Sequence, residues 1–106
     1  MTTFNDREKA FENKFAHDED MKFKASARRD KLLGLWAAEL MGLSGADAEA
    51  YTASVVVADL EEAGDEDVYR KVSADLEAKG ISTDALRPKM EELLAVAKSQ
   101  LLGEAG

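Results

Sequence analysis

Four stretches of this chain repeat apolar residues at steps of three and four positions, and glycines separate the stretches from one another. That period is typical of a helix with one apolar stripe, whereas a half-buried strand alternates at every second residue. The run from Val55 to Val57 has strand propensity, but no second strand-like run exists to pair with it. The pattern therefore predicts an all-helical chain.

The apolar stripes predict four helices that bury their stripes against each other. Their members are Leu32, Trp36, Leu40 and Leu43 beside Leu33 in the first helix, Ala48, Tyr51, Val55 and Ala58 beside Val56 and Leu60 in the second, Val68, Val72 and Leu76 in the third, and Met90, Leu93, Leu94, Ala97 and Leu101 in the fourth. Helices this short are marginal alone in water, so the expected fold is a four-helix bundle. A chain of 106 residues with 45% hydrophobic content has room for one such domain.

Glycines and helix-capping residues set the predicted helix ends. The predicted starts are Ser44, residues 65–67 and either Ser82 or Asp84, and the predicted stops are Gly42 with Gly45, Gly64, Gly80 and Gly103. Proline has no amide hydrogen and clashes with the preceding turn, so Pro88 is expected in the first turn of the last helix or at a kink.

Charge excludes one class of partner and marks one short region. The formal net charge of -8 repels a nucleic-acid backbone. Residues 21–31 differ from the rest, because five basic residues and one acidic residue give 5 - 1 = +4 there. Two interpretations stay open for this basic stretch: a solvated helix face paired with acidic neighbours, or a site for an anion.

The residues that enzyme and metal sites need are scarce. The chain has no Cys and a single His, His17, so no disulfide, thiolate site, two-His metal site or nucleophile–His pair is expected. We predict no catalytic residue, no metal ligand and a reducing cytoplasmic setting. The longest apolar stretch, Leu32 to Leu43, contains Glu39 and is shorter than the ~20 residues of a membrane span, and no signal peptide is expected.

Residues 1–20 are predicted to form a flexible segment that is separate from a bundle at residues 21–106. Phe11, Phe15 and Phe23 follow Phe4 at offsets of 7, 11 and 19, and all four rings are expected near one face of a helix. The charges between the rings give few favourable pairs, so the free segment is expected to be frayed. It could become helical in the groove of a partner protein, or its rings could fold back onto the bundle.

Particular runs of the chain closely resemble the zeta subunit of alphaproteobacterial F1Fo ATP synthases. These runs are DREKAFENKFAHD at residues 6–18, ARR at residues 27–29, LLGLWAAE at residues 32–39 and GDEDV at residues 64–68. The resemblance covers nearly the whole chain and is strongest before residue 72. It is looser around residues 82–88, where Pro88 departs from the family pattern.

The resemblance implies a non-enzymatic inhibitor of ATP hydrolysis by the F1 sector, built as a four-helix bundle. It implies that the N-terminal segment inserts at a catalytic interface between the alpha and beta subunits beside gamma. The residues that would carry this insertion are the anchors Phe4, Phe11 and Phe15 and the pairing charges Arg7, Glu8, Glu12 and Lys14. The chain would then be cytoplasmic and peripheral at the inner membrane through the ATP synthase.

The resemblance also implies that the bundle binds an adenine nucleotide, ADP or ATP, as a regulatory ligand, with no cofactor required. On charge grounds the phosphate ligands would be Arg28, Arg29 and Lys31. A second class of function competes with the inserted tail, namely a nucleotide sensor or assembly adaptor whose bundle contacts the partner. A third and weaker candidate function is a helix that lies on a membrane surface. Residues 1–20 carry a net charge of 3 - 6 = -3, which is repelled by anionic lipid.

Overall fold

The structure, a computed structural model, describes residues 19–61 and 65–105. They form four helices, α1 (Glu19–Leu40), α2 (Gly45–Glu61), α3 (Asp65–Ala78) and α4 (Leu86–Ala105), with no strand in these ranges. α1 packs against all three other helices. The predicted four-helix bundle is confirmed for this part of the chain, and the valine run lies inside α2. None of the helices in the described ranges is both long and apolar enough for a membrane span.

Two glycines end helices by adopting a left-handed backbone. At the end of α1, Gly42 has a φ of 76° and the amide of Leu43 donates to the carbonyl of Ala38 at 2.9 Å. α3 ends in the same way, with Gly80 at a φ of 72° and the amide of Ile81 bonded back to the helix. This closure satisfies carbonyls that the last turn leaves unpaired, so the predicted stops at Gly42 and Gly80 are confirmed.

The last helix differs from its prediction at both ends. It begins at Leu86, so neither Ser82 nor Asp84 is its cap; the amide of Asp84 instead donates to the hydroxyl of Ser82 at 3.2 Å in the preceding turn. Pro88 is the third residue of the helix, where the first turn leaves amides unpaired anyway. The predicted stop at Gly103 is wrong because the helix continues to Ala105, and a glycine inside a helix costs only about 1 kcal/mol.

The main core lies where the stripes of all four helices meet. The α1 residues buried in this core are Leu33 and Ala37, whereas Trp36 is half-buried and Leu40 is 45% exposed. The buried face of α1 is therefore centred on Leu33 and Ala37, and not on Trp36 and Leu40 as the predicted stripe has it. The buried residues of this core are Leu33, Ala37, Val55, Val68, Val72, Leu76, Leu86 and Met90. The predicted stripe of α3 is confirmed in full.

α1 and α2 approach closely at one glycine. A Cβ atom on Gly34 would lie 2.8 Å from the Cα atom of Thr52 on α2, closer than two carbon atoms can pack. A glycine here lets the two backbones come together, and it lies one turn after Asp30 along α1. The close contact fixes the position of α2 beside the charged residues of α1.

Candidate functional site

The residues predicted to bind the partner protein lie outside the described part of the chain. They are Phe4, Arg7, Glu8, Phe11, Glu12, Lys14 and Phe15. The structure does describe the helix that follows them, since α1 begins at Glu19. α1 therefore includes Glu19 and Asp20, which were predicted to belong to the N-terminal segment.

A basic groove lies beside the first three turns of α1. Its volume is about 490 Å³, and its lining residues are Met21, Phe23, Lys24, Ala27, Arg28, Lys31 and Leu101. Residues at positions i, i+4 and i+7 share a helix face, which explains why Lys24, Arg28 and Lys31 line the same groove. We call this set of residues the basic groove.

The floor of the basic groove is apolar and its rim is positive. Phe23 is 56% exposed although it is a large aromatic residue. Lys24 pairs with Asp20 at 3.8 Å, but both side chains are well exposed and such a pair is weak in water. Leu101 at the end of α4 belongs to a small second core with Ala25 at the start of α1. An exposed ring beside three cations suits a ligand that is both flat and anionic.

Arg29, the third predicted phosphate ligand, lies inside the bundle and not in the basic groove. Its side chain is 1% exposed. Its Nε atom donates to Asp30 at 2.7 Å and its Nη2 atom donates to Asp65 on α3 at 3.0 Å. Burial lowers the pKa of Arg29, but its two carboxylate partners outweigh burial and hold the pKa above its usual value. A guanidinium bound in this way joins α1 to α3.

Asp30 is the second charged residue that the bundle buries. Its side chain is fully buried, and its Oδ1 atom accepts the bond from Arg29. Among the described residues, its buried Oδ2 atom has no hydrogen-bond donor, and the carboxyl of Asp59 on α2 is close enough to interact with Asp30. Burial and, to a smaller extent, the interaction with Asp59 raise the pKa of Asp30, Arg29 lowers it, and together these effects bring the pKa to about 8.

The sequence carried a signal for these two buried residues. Ala25, Arg29, Leu33 and Ala37 are spaced by four residues and are all buried. The core stripe of α1 therefore continues upstream of Leu33 through an arginine. The predicted stripe of α1 was traced through apolar residues alone. Arg29 was therefore predicted to bind an anion, and Asp30 was given no role. Lys24 and Phe23 were not predicted to line a groove, because the groove also needs Leu101, which is distant from them in the sequence.

The described residues contain no group of acidic or histidine side chains that could hold a metal ion. What they offer is binding chemistry: a basic groove, and buried charges that join helices. On the surface of α3, Arg87 of α4 pairs with Glu66 at 2.8 Å and stacks 3.9 Å from the ring centre of Tyr69. These contacts connect α3 to α4 on the surface.

This chain is similar to a solved structure and to one protein family. A solved chain, determined by solution NMR, is 58% identical and superposes with a TM-score of 0.70, covering 79% of this chain and 98% of its own length. No match was found among curated protein sequences. The family described as ATPase inhibitor subunit zeta matches residues 1–100. Because that match spans the N-terminal segment and the whole bundle up to the last turn of α4, this chain belongs to the ATPase inhibitor subunit zeta family.

Proposed function

We propose that residues 1–18 insert as a helix at a catalytic interface between the alpha and beta subunits of the F1 sector, beside gamma. The family is one of regulatory inhibitor subunits of the ATP synthase and not of enzymes. The observation that carries the proposal is that the family match includes residues 1–18 as well as the bundle. The chain would act at the cytoplasmic face of the inner membrane, held there by the ATP synthase.

The chemistry of the segment supports insertion. Phe4, Phe11 and Phe15 would lie on one face of the helix and fill an apolar groove. The pairing charges between them would be Arg7, Glu8, Glu12 and Lys14. α1 supports this mode because it already presents a formed helix at Glu19, onto which residues 1–18 can add turns.

Replacing Phe15 with alanine is expected to weaken inhibition of ATP hydrolysis by purified F1 by about 10-fold to 100-fold. Loss of one buried phenyl group removes about 1.5 to 3 kcal/mol, and each 1.4 kcal/mol is a tenfold change in affinity. The measurement is the concentration of inhibitor that halves the ATPase rate.

Phe23→Ala is the matched control for this variant. The expectation that Phe23 shares the face of the other three rings is wrong for a continuous helix, because the eight positions from Phe15 to Phe23 turn the side chain by about 80°. We expect Phe23→Ala to inhibit nearly as well as the original chain. Equal inhibition by Phe15→Ala and the original chain would count against insertion of the segment.

We further propose that the basic groove binds the phosphates of ADP or ATP as a regulatory ligand. Its volume of about 490 Å³ is in the range of small-molecule sites, and it places Arg28 and Lys31 together with Lys24 and an exposed aromatic ring. The ring of Phe23 is the expected contact for the base. Arg29 is not in this proposed set because its side chain is only 1% exposed and bonds to Asp30 and Asp65 inside the bundle.

Titration with ADP is expected to shift the amide NMR signals of residues 21–31. Lys24→Ala and Lys31→Ala should each weaken ADP binding by about tenfold, because each removes a charge-assisted hydrogen bond to phosphate. Lys79→Ala, an exposed lysine at the end of α3, should bind ADP as the original chain does.

The absence of any NMR shift at residues 21–31 on adding ADP would contradict the basic groove as the nucleotide site. If only the groove variants lost inhibition, the adaptor function would be favoured over the inserted tail.

A further inference from the structure

Three helices meet at a small cluster of buried charges. α1 supplies Arg29 and Asp30, α2 supplies Asp59, and α3 supplies Asp65. Arg29 bonds to two of these three carboxyl groups, those of Asp30 and Asp65, and the third, Asp59, acts on Asp30. Asp65 is 62% exposed and can be stabilised by water, whereas Asp30 is fully buried. The excess of carboxyl groups falls on the pair formed by Asp30 and Asp59.

The Asp30 and Asp59 carboxyl groups cannot both be charged without a large electrostatic penalty. A carboxylate only accepts hydrogen bonds, so the contact between the two groups becomes a hydrogen bond only when one of them holds a proton. Asp30 Oδ1 already accepts the bond from Arg29, which leaves its buried Oδ2 atom to meet Asp59. Two carboxyl groups that share one site hold a proton more tightly than either would alone.

Other charged groups near the cluster do not replace this proton. On α4, Arg87 and Glu91 line a small cavity of about 110 Å³ that also reaches Arg29 and Asp65. Arg87 is committed to Glu66 on the surface of α3. The cation within bonding distance of Asp30 is Arg29, and it also bonds to Asp65.

We propose that Asp30 and Asp59 form a proton-sharing carboxyl pair that holds α1 against α2, and that loss of the shared proton at alkaline pH loosens this contact. Asp30 lies one turn from Gly34 and Asp59 about two turns from Thr52, so repulsion between the two carboxylates acts near the close approach of α1 to α2. α1 also contacts α3 and α4. The protonation of one buried pair thus sets how firmly the bundle holds its central helix.

The direction of the pH effect follows from proton binding. An aspartate in the unfolded chain has a pKa of about 3.9, while burial raises the pKa of Asp30 in the bundle to about 8. Between these values the folded chain binds one more proton than the unfolded chain, so its stability falls as pH rises. The contribution of the pair is complete below about pH 4 and is lost as pH rises through about 8.

The test is urea unfolding of the full chain at pH values from 5 to 9. One extra proton in the folded state means that the folding equilibrium constant falls by about tenfold for each pH unit across the middle of this range. Asp30→Asn should remove most of that decline, because its amide donates to Asp59 and its carbonyl accepts from Arg29 without any titrating proton. Asp84→Asn, at an exposed carboxyl in the turn before α4, should leave the decline unchanged.

A second measurement keeps the test independent of how well Asp30→Asn folds. The side-chain carboxyl carbon of Asp30 in the original chain should titrate by NMR several pH units above an ordinary aspartate. A carboxyl carbon of Asp30 that titrates near pH 4 would overturn the proposal. An equal pH dependence of stability in Asp30→Asn and the original chain would overturn it as well.

Discussion

Deleting residues 1–18 is expected to abolish inhibition of ATP hydrolysis by purified F1 while leaving the bundle folded. The described core uses side chains from residue 21 onward, so the deletion removes none of the side chains of that described core. The proposed contacts with the catalytic interface all lie in the deleted segment. The measurement is the ATPase rate of F1 against concentration of the truncated chain, with thermal unfolding of that chain followed by circular dichroism.

A free peptide of residues 1–18 is the control for the role of the bundle. Fixing each backbone residue costs about 1 to 2 kcal/mol, whereas full burial of a Phe side chain contributes about 1.5 to 3 kcal/mol. Three phenyl rings alone therefore cannot order the whole segment. In the full chain, α1 provides a formed turn at Glu19, so the segment adds turns to an existing helix. The equilibrium constant for helix nucleation is about 10⁻³. The free peptide must nucleate its own helix, so we expect it to inhibit up to about 1000-fold less strongly than the full chain.

Two outcomes would contradict the inserted segment. A truncated chain that inhibits as well as the full chain would place the inhibitory contact on the bundle. A truncated chain whose unfolding temperature falls by tens of degrees would show that residues 1–18 belong to the folded core. The second outcome would favour the alternative in which the phenyl rings fold back onto the bundle.

The sequence allowed most of the fold to be predicted because local signals agreed with the final packing. Val68, Val72 and Leu76 repeat at helical spacing and are all fully buried. Gly42 and Gly80 end helices where the sequence predicted it, since each adopts a backbone that other residues rarely reach. Apolar spacing alone did less well on α1, where Leu40 continues the pattern but lies at the exposed end of the helix.

The candidate sites were harder to predict, and the reason differs between them. The basic groove needs Leu101 from α4 beside Phe23 and Lys24 of α1, a contact that depends on how the helices pack. The buried pair of Arg29 and Asp30 was missed because charged residues are almost never fully buried unless they are paired, and their partners lie on other helices. The position of residues 1–18 depends on another molecule, so the chain by itself does not determine it.

Replacing Arg29 with alanine is expected to lower the free energy of unfolding of the bundle by about 3 to 5 kcal/mol at neutral pH. Without Arg29, the proton-sharing pair of Asp30 and Asp59 would keep one negative charge with no bonded cation, and removing one partner of a buried ion pair typically costs this much. Here the remaining partner is Asp30, which is fully buried, and the link from α1 to Asp65 on α3 is lost with it. Small domains have about 5 to 15 kcal/mol of stability in total, so this variant should be close to unfolding. Urea unfolding followed by circular dichroism measures the difference.

Three further variants separate charge from volume at this position. Arg29→Lys keeps the charge but cannot make the forked pair of bonds to Asp30 and Asp65, so its loss should be intermediate. Arg29→Met combined with Asp30→Asn removes both charges at similar volume, and should be less destabilised than Arg29→Ala. Lys31→Ala, an exposed lysine two positions along α1, should stay within about 0.5 kcal/mol of the original chain.

The same variants decide whether Arg29 is a structural residue or an anion ligand. If Arg29→Ala unfolds at the same urea concentration as the original chain but loses ADP binding, Arg29 belongs to the nucleotide site and not to the packing of the helices. If the double variant is as unstable as Arg29→Ala, loss of the fitted guanidinium, and not an isolated charge on Asp30, accounts for the destabilisation. The expected order of unfolding free energies, from highest to lowest, is therefore Lys31→Ala, the double variant and Arg29→Ala, because only the last leaves a buried carboxyl without its cation.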